Sequence, residues 1–342
     1  MVTLIATVVV LGGLIFVHEL GHFLVAKATG VRVHEFALGF GPRLLGLRRG
    51  HTDYSLRLLP LGGFVRMAGM HPGEEQLDEV PPPARFYNRS IGERMAVIFA
   101  GPLANLLLAA VLFVVLFAVI GVASPSLVVA DVEPGFPADA AGIRPGDRIV
   151  ALDGERLEDW SQLVEGVQSR PGRSLELTIE RDGREQVIQL TPVDTGDGRG
   201  VIGIRPVMQH QRFGLLESVE QGLQWTARVV AAFFAALGDL VRGQGPGQII
   251  GPVGIGAEIG EATRTGLPNL VLLAGLLSIN LGLINLLPIP ALDGSRLLFL
   301  LIEAMRGRPI DPDKESVIHL LGFALMIALL VFISIRDVIR IF

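Results

Sequence analysis

The sequence predicts an α-helical polytopic membrane protein with four transmembrane helices and a small β-rich soluble domain inserted between the second and third. Three observations predict it. Half of the 342 residues are hydrophobic, only 18% are charged, and the mean hydropathy is +0.52, whereas soluble chains carry about a quarter charged residues. Four stretches lack Asp, Glu, Lys and Arg over roughly the 20 residues that a bilayer crossing needs. Between the second and third of these, the texture changes to short apolar runs separated by Pro-Gly and Asp-Gly turns.

The first stretch, Met1 to Val17, carries no charge. With no basic start and no small-residue cleavage site before Val17-His18-Glu19, it reads as a retained span over about 1–24 rather than a leader. The charge-free intervals Arg94 to Asp131, Arg264 to Asp293 and Glu315 to Arg336 place the other spans at about 97–121, 269–291 and 317–335. A fifth stretch, 215–241, is interrupted by Glu217, Glu220, Arg228 and Asp239, and reads as an amphipathic helix lying against the membrane surface or the protein.

Residues 27–94 hold ten Lys/Arg against seven Asp/Glu, and residues 126–212 hold ten against fifteen. Basic loops stay in the cytoplasm, so the first loop is expected inside and the inserted domain outside. Arg336 and Arg340 then fall outside, against the trend. The Pro81-Pro82-Pro83 stretch, after acidic Glu74, Glu75, Asp78 and Glu79, reads as a cytoplasmic linker.

In the inserted segment, Leu127–Val132, Arg148–Leu152, Leu175–Arg181 and Val187–Thr191 have strand character, and Trp160 to Ser169 reads as a helix. Asp182-Gly183 between two alternating runs is a hairpin signal.

There are no cysteines. That excludes disulfides, thiolate metal sites and cysteine nucleophiles, and leaves histidine and carboxylate as the means of holding a metal. The net charge of −5 gives no sign of nucleic-acid binding.

His18-Glu19-Leu20-Gly21-His22 carries the chemistry. On a helix, positions i and i+4 share a face, so two imidazoles can take adjacent corners of a tetrahedral zinc site, with Glu19 beside them to accept a proton from water. The motif follows an uncharged run, at a depth where ionisable groups are costly and usually functional. Asp293 arrives just past the Pro288-Ile289-Pro290 break that ends the third span. Irregular backbone at membrane depth is tolerated where it is buried or lines a wet cavity, and Asp293 can supply a third ligand there, leaving a fourth position for water. One ion joins these residues only if the chain between them crosses the membrane once, which argues against a spanning 215–241 segment. The other histidines (His34, His51, His71, His210 and His319) are scattered, and His319, in the last span, reads as a lone packed residue. Three functions remain open on these residues alone: a zinc hydrolase, a membrane zinc carrier or sensor using the same ligands, and a non-catalytic scaffold.

The run Pro137-Ala138-Asp139-Ala140-Ala141-Gly142-Ile143-Arg144-Pro145-Gly146-Asp147, followed by Asp153-Gly154, resembles a bacterial PDZ domain. The whole set of motifs resembles the site-2 protease family of intramembrane zinc metalloproteases, and is especially similar to the bacterial regulator-of-sigma-E branch. It comprises His18 to His22, Gly39-Phe40-Gly41-Pro42, Pro60 to Met67, Gly101-Pro102-Leu103-Ala104-Asn105, Gly251-Pro252-Val253-Gly254-Ile255 and Asn285 to Gly294. The resemblance implies one Zn2+ per chain on His18, His22 and Asp293, with Glu19 as general base and Asn285 positioning or polarising the substrate carbonyl. It implies a membrane-associated β-hairpin sheet over about 31–67, whose Gly62, Gly63 and Phe64, with Asn285 and Pro288, would meet an unwound substrate. It divides the chain into an N-terminal membrane core (1–125), an extracytoplasmic PDZ domain (126–207), an amphipathic connecting segment (208–265) and a C-terminal membrane core (266–342). The implied partners are single-span membrane proteins, such as anti-sigma factors or signal-peptide remnants, an extended peptide or chain end at the PDZ groove, and the lipid of a bacterial inner membrane, with the active site towards the cytoplasm. Well-known members of that branch carry two PDZ domains in tandem, and this chain has room for one. Ser295-Arg296 also replaces a more usual Gly-His or Gly-Arg, a change from which no catalytic consequence is expected.

Overall fold

The structure, a computed structural model, describes residues 2–70, 74, 77–194, 196, 198–244 and 250–341. His71 and Glu75 lie outside the described residues. In chain order the elements of the first half are α1 (Val2–Ala28), β1 (Val33–Arg49), β2 (Thr52–Met67), α2 (Ile91–Val115), β3 (Val122–Val132), α3 (Pro137–Ala140), β4 (Arg148–Leu152), β5 (Glu155–Arg156) and α4 (Trp160–Gln168). There follow β6 (Leu175–Arg181), β7 (Arg184–Leu190), β8 (Val193–Asp194), β9 (Gly200–Val201), β10 (Ile204–Gln211), α5 (Leu215–Val241), α6 (Pro252–Thr265), α7 (Leu267–Leu286), α8 (Asp293–Arg306) and α9 (Pro312–Ile341). They form two compact units, Met1–Ile120 with Phe213–Phe342, and Gly121–Arg212.

Among the described residues of the first unit, four helices are long and apolar enough to cross a membrane: α1, α2 with its π-turn continuation to Ile120, α7 and α9. Helix α2 begins before its expected span because Ser90 and Glu93 close a reciprocal capping box at its start. Helix α7 ends at Leu286, five residues short of the expected 291. The cause is local, since neither Pro288 nor Pro290 can donate a helical N–H.

Small residues set the helix packing. A side chain at Gly21 would collide with the Ala100 carbonyl, and one at Gly101 with the His22 ring, so α1 and α2 approach closely where the histidines emerge. Gly282 and Ser278 of α7 meet Pro102 and Asn105 of α2 in the same way, with the Ser278 hydroxyl donating to the Asn105 carbonyl at 2.8 Å.

Strands β1 and β2 do more than form one hairpin. Glu35 to Leu38 pair on one side with residues 63–66 and on the other with residues 53–56, and the latter also pair with 45–48. Each long strand therefore serves as two segments, and the sheet has four rungs, with the 63–67 segment at one edge. The stretch read as a linker is packed rather than free: Val80 and Phe86 are buried, and the Phe86 N–H donates to the Ala68 carbonyl at 2.7 Å. Helix α5 lies along α2, where a side chain at Gly222 would press on Val114. Its leucines at 215, 216 and 223 and Phe234 are exposed, as an amphipathic helix in contact with lipid requires.

The second unit is a sheet in the order β10-β3-β4-β6-β7, with β5 on β4 and helices α3 and α4 packed on a core that includes Ile149, Leu163, Leu177 and Ile179. This is the PDZ arrangement. Asp182 (φ 53) and Gly183 (φ 74) form the two-residue turn between β6 and β7, both left-handed as a twist-matched hairpin demands. The unit runs from 121 to 212 because β3 and β10 continue their pairing out to Val122 and Gln211.

Candidate metal centre

Helix α1 presents His18 and His22 one turn apart, both buried. The broken segment after α7 delivers Asp293 as the first residue of α8. His18 Nε2 and His22 Nε2 stand 3.1 and 3.2 Å from the same Asp293 oxygen, Oδ2, and 3.2 Å from each other. Donors about 2.0–2.1 Å from a tetrahedral ion stand about 3.3 Å apart, so the three atoms fit three corners around one zinc. Among the described residues this is the group of His and carboxylate donors that could hold a metal.

The surroundings orient the two histidine rings. His22 Nδ1–H donates to the Val97 carbonyl at 2.8 Å, which puts the ring proton on Nδ1 and turns Nε2 to the centre. Gly101 leaves room for that ring. His18 Nδ1 is buried with no hydrogen-bond partner among the described residues.

A cavity of about 330 Å³ opens beside the cluster, walled by Glu19, Gly63, Phe64, Asn285 and Arg296 among others. A side chain added at Gly63 would lie 3.0 Å from the Glu19 stem, so the free edge of the four-rung sheet borders the carboxylate. Asn285 donates one amide N–H to the Leu281 carbonyl at 2.9 Å and still faces the cavity. Gly62 (φ 119) instead abuts the Phe40 ring, and Pro288 is exposed; neither lines the cavity.

Two residues take parts that local sequence does not announce. Arg296, from which no consequence was expected, is on the cavity wall, one helical turn past Asp293, and close enough to Tyr87 and Glu315 for their charges to interact. The i, i+3 spacing from Asp293 is the signal that could have found it. His319 is not a lone packed residue: it accepts a hydrogen bond from the Ala291 N–H at 3.0 Å. Nearby, Arg94 is 4% exposed and makes a two-pronged ion pair with Glu303, at 2.6 and 3.1 Å, tying α2 to α8. Burial, with Glu315 beside it, pushes the Tyr87 phenol up to about 12.

The second unit carries a separate groove of about 190 Å³ between α4 (Trp160, Leu163, Val164 and Val167) and residues 200–204.

The model of peptidase family M50 matches residues 6–329. The chain is 34% identical to a zinc metalloprotease RasP of Geobacillus kaustophilus, across 99% of this chain and 98% of that one. It is 32% identical to the regulator of sigma-W protease RasP of Bacillus subtilis, across 99% of each. Among solved structures, the PDZ domain of an SdrC-like protein from Listeria monocytogenes is 24% identical over 25% of this chain and 92% of that one, with a TM-score of 0.22.

Proposed function

The chain belongs to peptidase family M50, a zinc metalloprotease of the bacterial membrane, and from that premise we propose that it hydrolyses peptide bonds within or near the transmembrane segments of single-span membrane proteins. The observation that carries this reading is the joint placement of His18, His22 and Asp293 at the wall of a cavity bordered by a free strand edge and by helices of membrane-spanning length.

His18, His22 and Asp293 would hold the zinc. When bound, zinc lowers the pKa of a coordinated water to about 7 and polarises a carbonyl. Glu19, in the cavity beside the histidines, takes the proton of the attacking water and delivers it to the leaving nitrogen. The second amide N–H of Asn285, which has no partner among the described residues, donates to the substrate carbonyl as negative charge develops on it. A helical substrate hides its carbonyls in i to i−4 hydrogen bonds and must unwind first. The edge formed by Gly63 to Val65 offers backbone partners to the freed groups, each of which costs several kcal/mol unpaired in lipid. The groove on α4 accepts an extended peptide or chain end by strand addition.

The charge asymmetry of the loops supports a cytoplasmic catalytic side and an extracytoplasmic PDZ domain. The Bacillus subtilis relative's description as a regulator of sigma-W protease favours an anti-sigma factor as substrate. A metal carrier would need several sites along a path, and the described residues hold one such cluster.

The test is Glu19→Gln in native membranes. It should keep one zinc per chain, stop cleavage of a membrane-helix reporter, and retain the natural substrate for identification. Cleavage at the parent rate would overturn the role of Glu19, and a zinc content unchanged by Asp293→Asn would overturn the ligand set.

A further inference from the structure

We propose that His319 is a positioning residue, which from the last spanning helix pins the backbone of Ala291 in the conformation that delivers Asp293 to His18 and His22. The proposal rests on the reading of Asp293 as a zinc ligand.

The segment between α7 and α8 is short and kinked. Within it, the Ile289 N–H donates to the Leu287 carbonyl at 2.7 Å and the Leu292 N–H to the Ile289 carbonyl at 3.1 Å, while Pro288 and Pro290 have no N–H to give. The Leu287 N–H still reaches back to the Ile284 carbonyl of α7 at 3.0 Å, whereas the Ala291 N–H donates across to another helix, to His319 Nδ1 on α9 at 3.0 Å. Ala291 is also the residue under strain. Its φ of 78 is left-handed, a conformation that costs any residue with a side chain and persists only where neighbours enforce it. Two residues on, the chain must place the Asp293 carboxylate between two imidazoles.

The His319 ring is itself held. Nε2, buried without a hydrogen bond among the described residues, lies in ion-pair range of Glu315 Oε1 at 3.7 Å, one turn earlier on α9, and the Tyr87 hydroxyl donates to that carboxylate at 3.3 Å. The Phe299 ring meets the imidazole edge to face, with centroids 5.8 Å apart. One turn later, a side chain at Gly322 would collide with Pro290, so α9 presses directly on the segment. Most of α9 is otherwise exposed, and general packing of the helix does not call for an imidazole at this point. With Nδ1 accepting, the ring proton sits on Nε2, towards Glu315.

The experiment uses the full chain in detergent and begins with metal-free protein. His319→Phe removes the acceptor. Hydrogen exchange over residues 287–293 should speed up about tenfold, the worth of one hydrogen bond. In zinc-loaded protein, release of zinc to a chelator should accelerate by a similar factor, and kcat should fall with KM unchanged. His319→Asn, whose oxygen occupies the Nδ1 position, should restore the parent values. Ala291→Gly in the His319→Phe background should leave exchange fast but slow zinc release part of the way back, because glycine adopts a positive φ without strain.

Parent rates of exchange or of zinc release in His319→Phe overturn the proposal. If His319→Phe does not fold, His319→Asn is compared with His319→Gln, whose amide sits at the Nε2 position. The proposal requires parent rates for Asn and raised rates for Gln, and any other order overturns it. Asp293→Asn, measured alongside, tests the ligand assignment by itself. Should it keep its zinc, that reading fails, and the metal-free exchange rates alone decide the part played by His319.

Discussion

The two units treat buried charge in opposite ways. In the PDZ unit, Asp147 is 2% exposed and fully engaged: Arg181 donates to both its oxygens at 2.7 Å, and the Arg144 N–H donates to Oδ2 at the same distance. No described side chain of that unit buries a nitrogen or oxygen without a hydrogen-bond partner. In the membrane unit, His18 Nδ1, Arg94 Nε, His319 Nε2 and both polar side-chain atoms of Asn105 are among those buried without one, and two imidazoles crowd a single carboxylate oxygen. Native folds satisfy nearly all their buried polar groups, so unsatisfied ones gather where something other than stability is being served. The contrast teaches that the PDZ unit pairs its buried charge fully, whereas the membrane unit leaves buried polar atoms unpaired at several places, the histidine–aspartate cluster among them.

The sharpest way to break that contrast is to neutralise one carboxylate in each unit. Glu19→Gln should lower reporter cleavage by about 10²- to 10⁴-fold, the usual contribution of a general base, with thermal unfolding of the membrane unit unchanged. If cleavage instead falls in step with stability, Glu19 belongs to the structure rather than to the chemistry.

Arg94→Leu should do the reverse. It strands Glu303 in a buried site and should cost about 3–5 kcal/mol of stability, read as a lowered melting temperature in detergent, while zinc stays bound at low temperature.

Asp147→Asn should destabilise the PDZ unit by about 1–3 kcal/mol, seen as faster exchange over 121–212 in the full chain with zinc content unaltered. The Arg181 hydrogen bonds hold the Asp147 carboxyl below the usual carboxylate range. A depressed folded value means that the stabilisation is complete above the ordinary carboxylate pKa of about 3.9, and is lost as pH falls through the folded value. Acid titration should therefore loosen the parent PDZ unit below about pH 4, and the Asn variant should have that step removed.

The smallest effect is expected at the hairpin turn. Gly183→Ala should cost about 1 kcal/mol, because φ 74 is unfavourable for alanine. A neutral result in the same exchange measurement would show that the turn adapts.

Much of this was legible one residue at a time. Asp182-Gly183 announced its hairpin, the charge-free runs announced their helices, and His18 and His22 at helical spacing announced a shared face. Asp293 could be linked to them because the kink of Pro288 and Pro290 at the end of an apolar run signals irregular backbone at membrane depth. Strand β10 was not legible, since Pro206 interrupts any alternating pattern and the strand is recognised only by its pairing with β3. Nor was the four-rung sheet, since doubling a strand back on its partner leaves the local pattern unchanged.

By itself the sequence determined which four stretches form helices long and apolar enough to cross a membrane, which helix carries the two imidazoles, and that a β-rich domain stands between the second and third of them, its PDZ character implied by resemblance. Those properties are written in patterns of period two or 3.6 and in turn residues, all within about ten positions. Tertiary structure decided that the Val97 carbonyl sets the proton on His22, that Glu303 answers Arg94, that Arg296 faces the cavity, and that His319 holds Ala291. These partners stand 75, 209, 3 and 28 residues from the groups they serve. Except for Arg296, one turn from Asp293, no repeat in the chain connects the pairs, and only the packing of helices against one another brings them together.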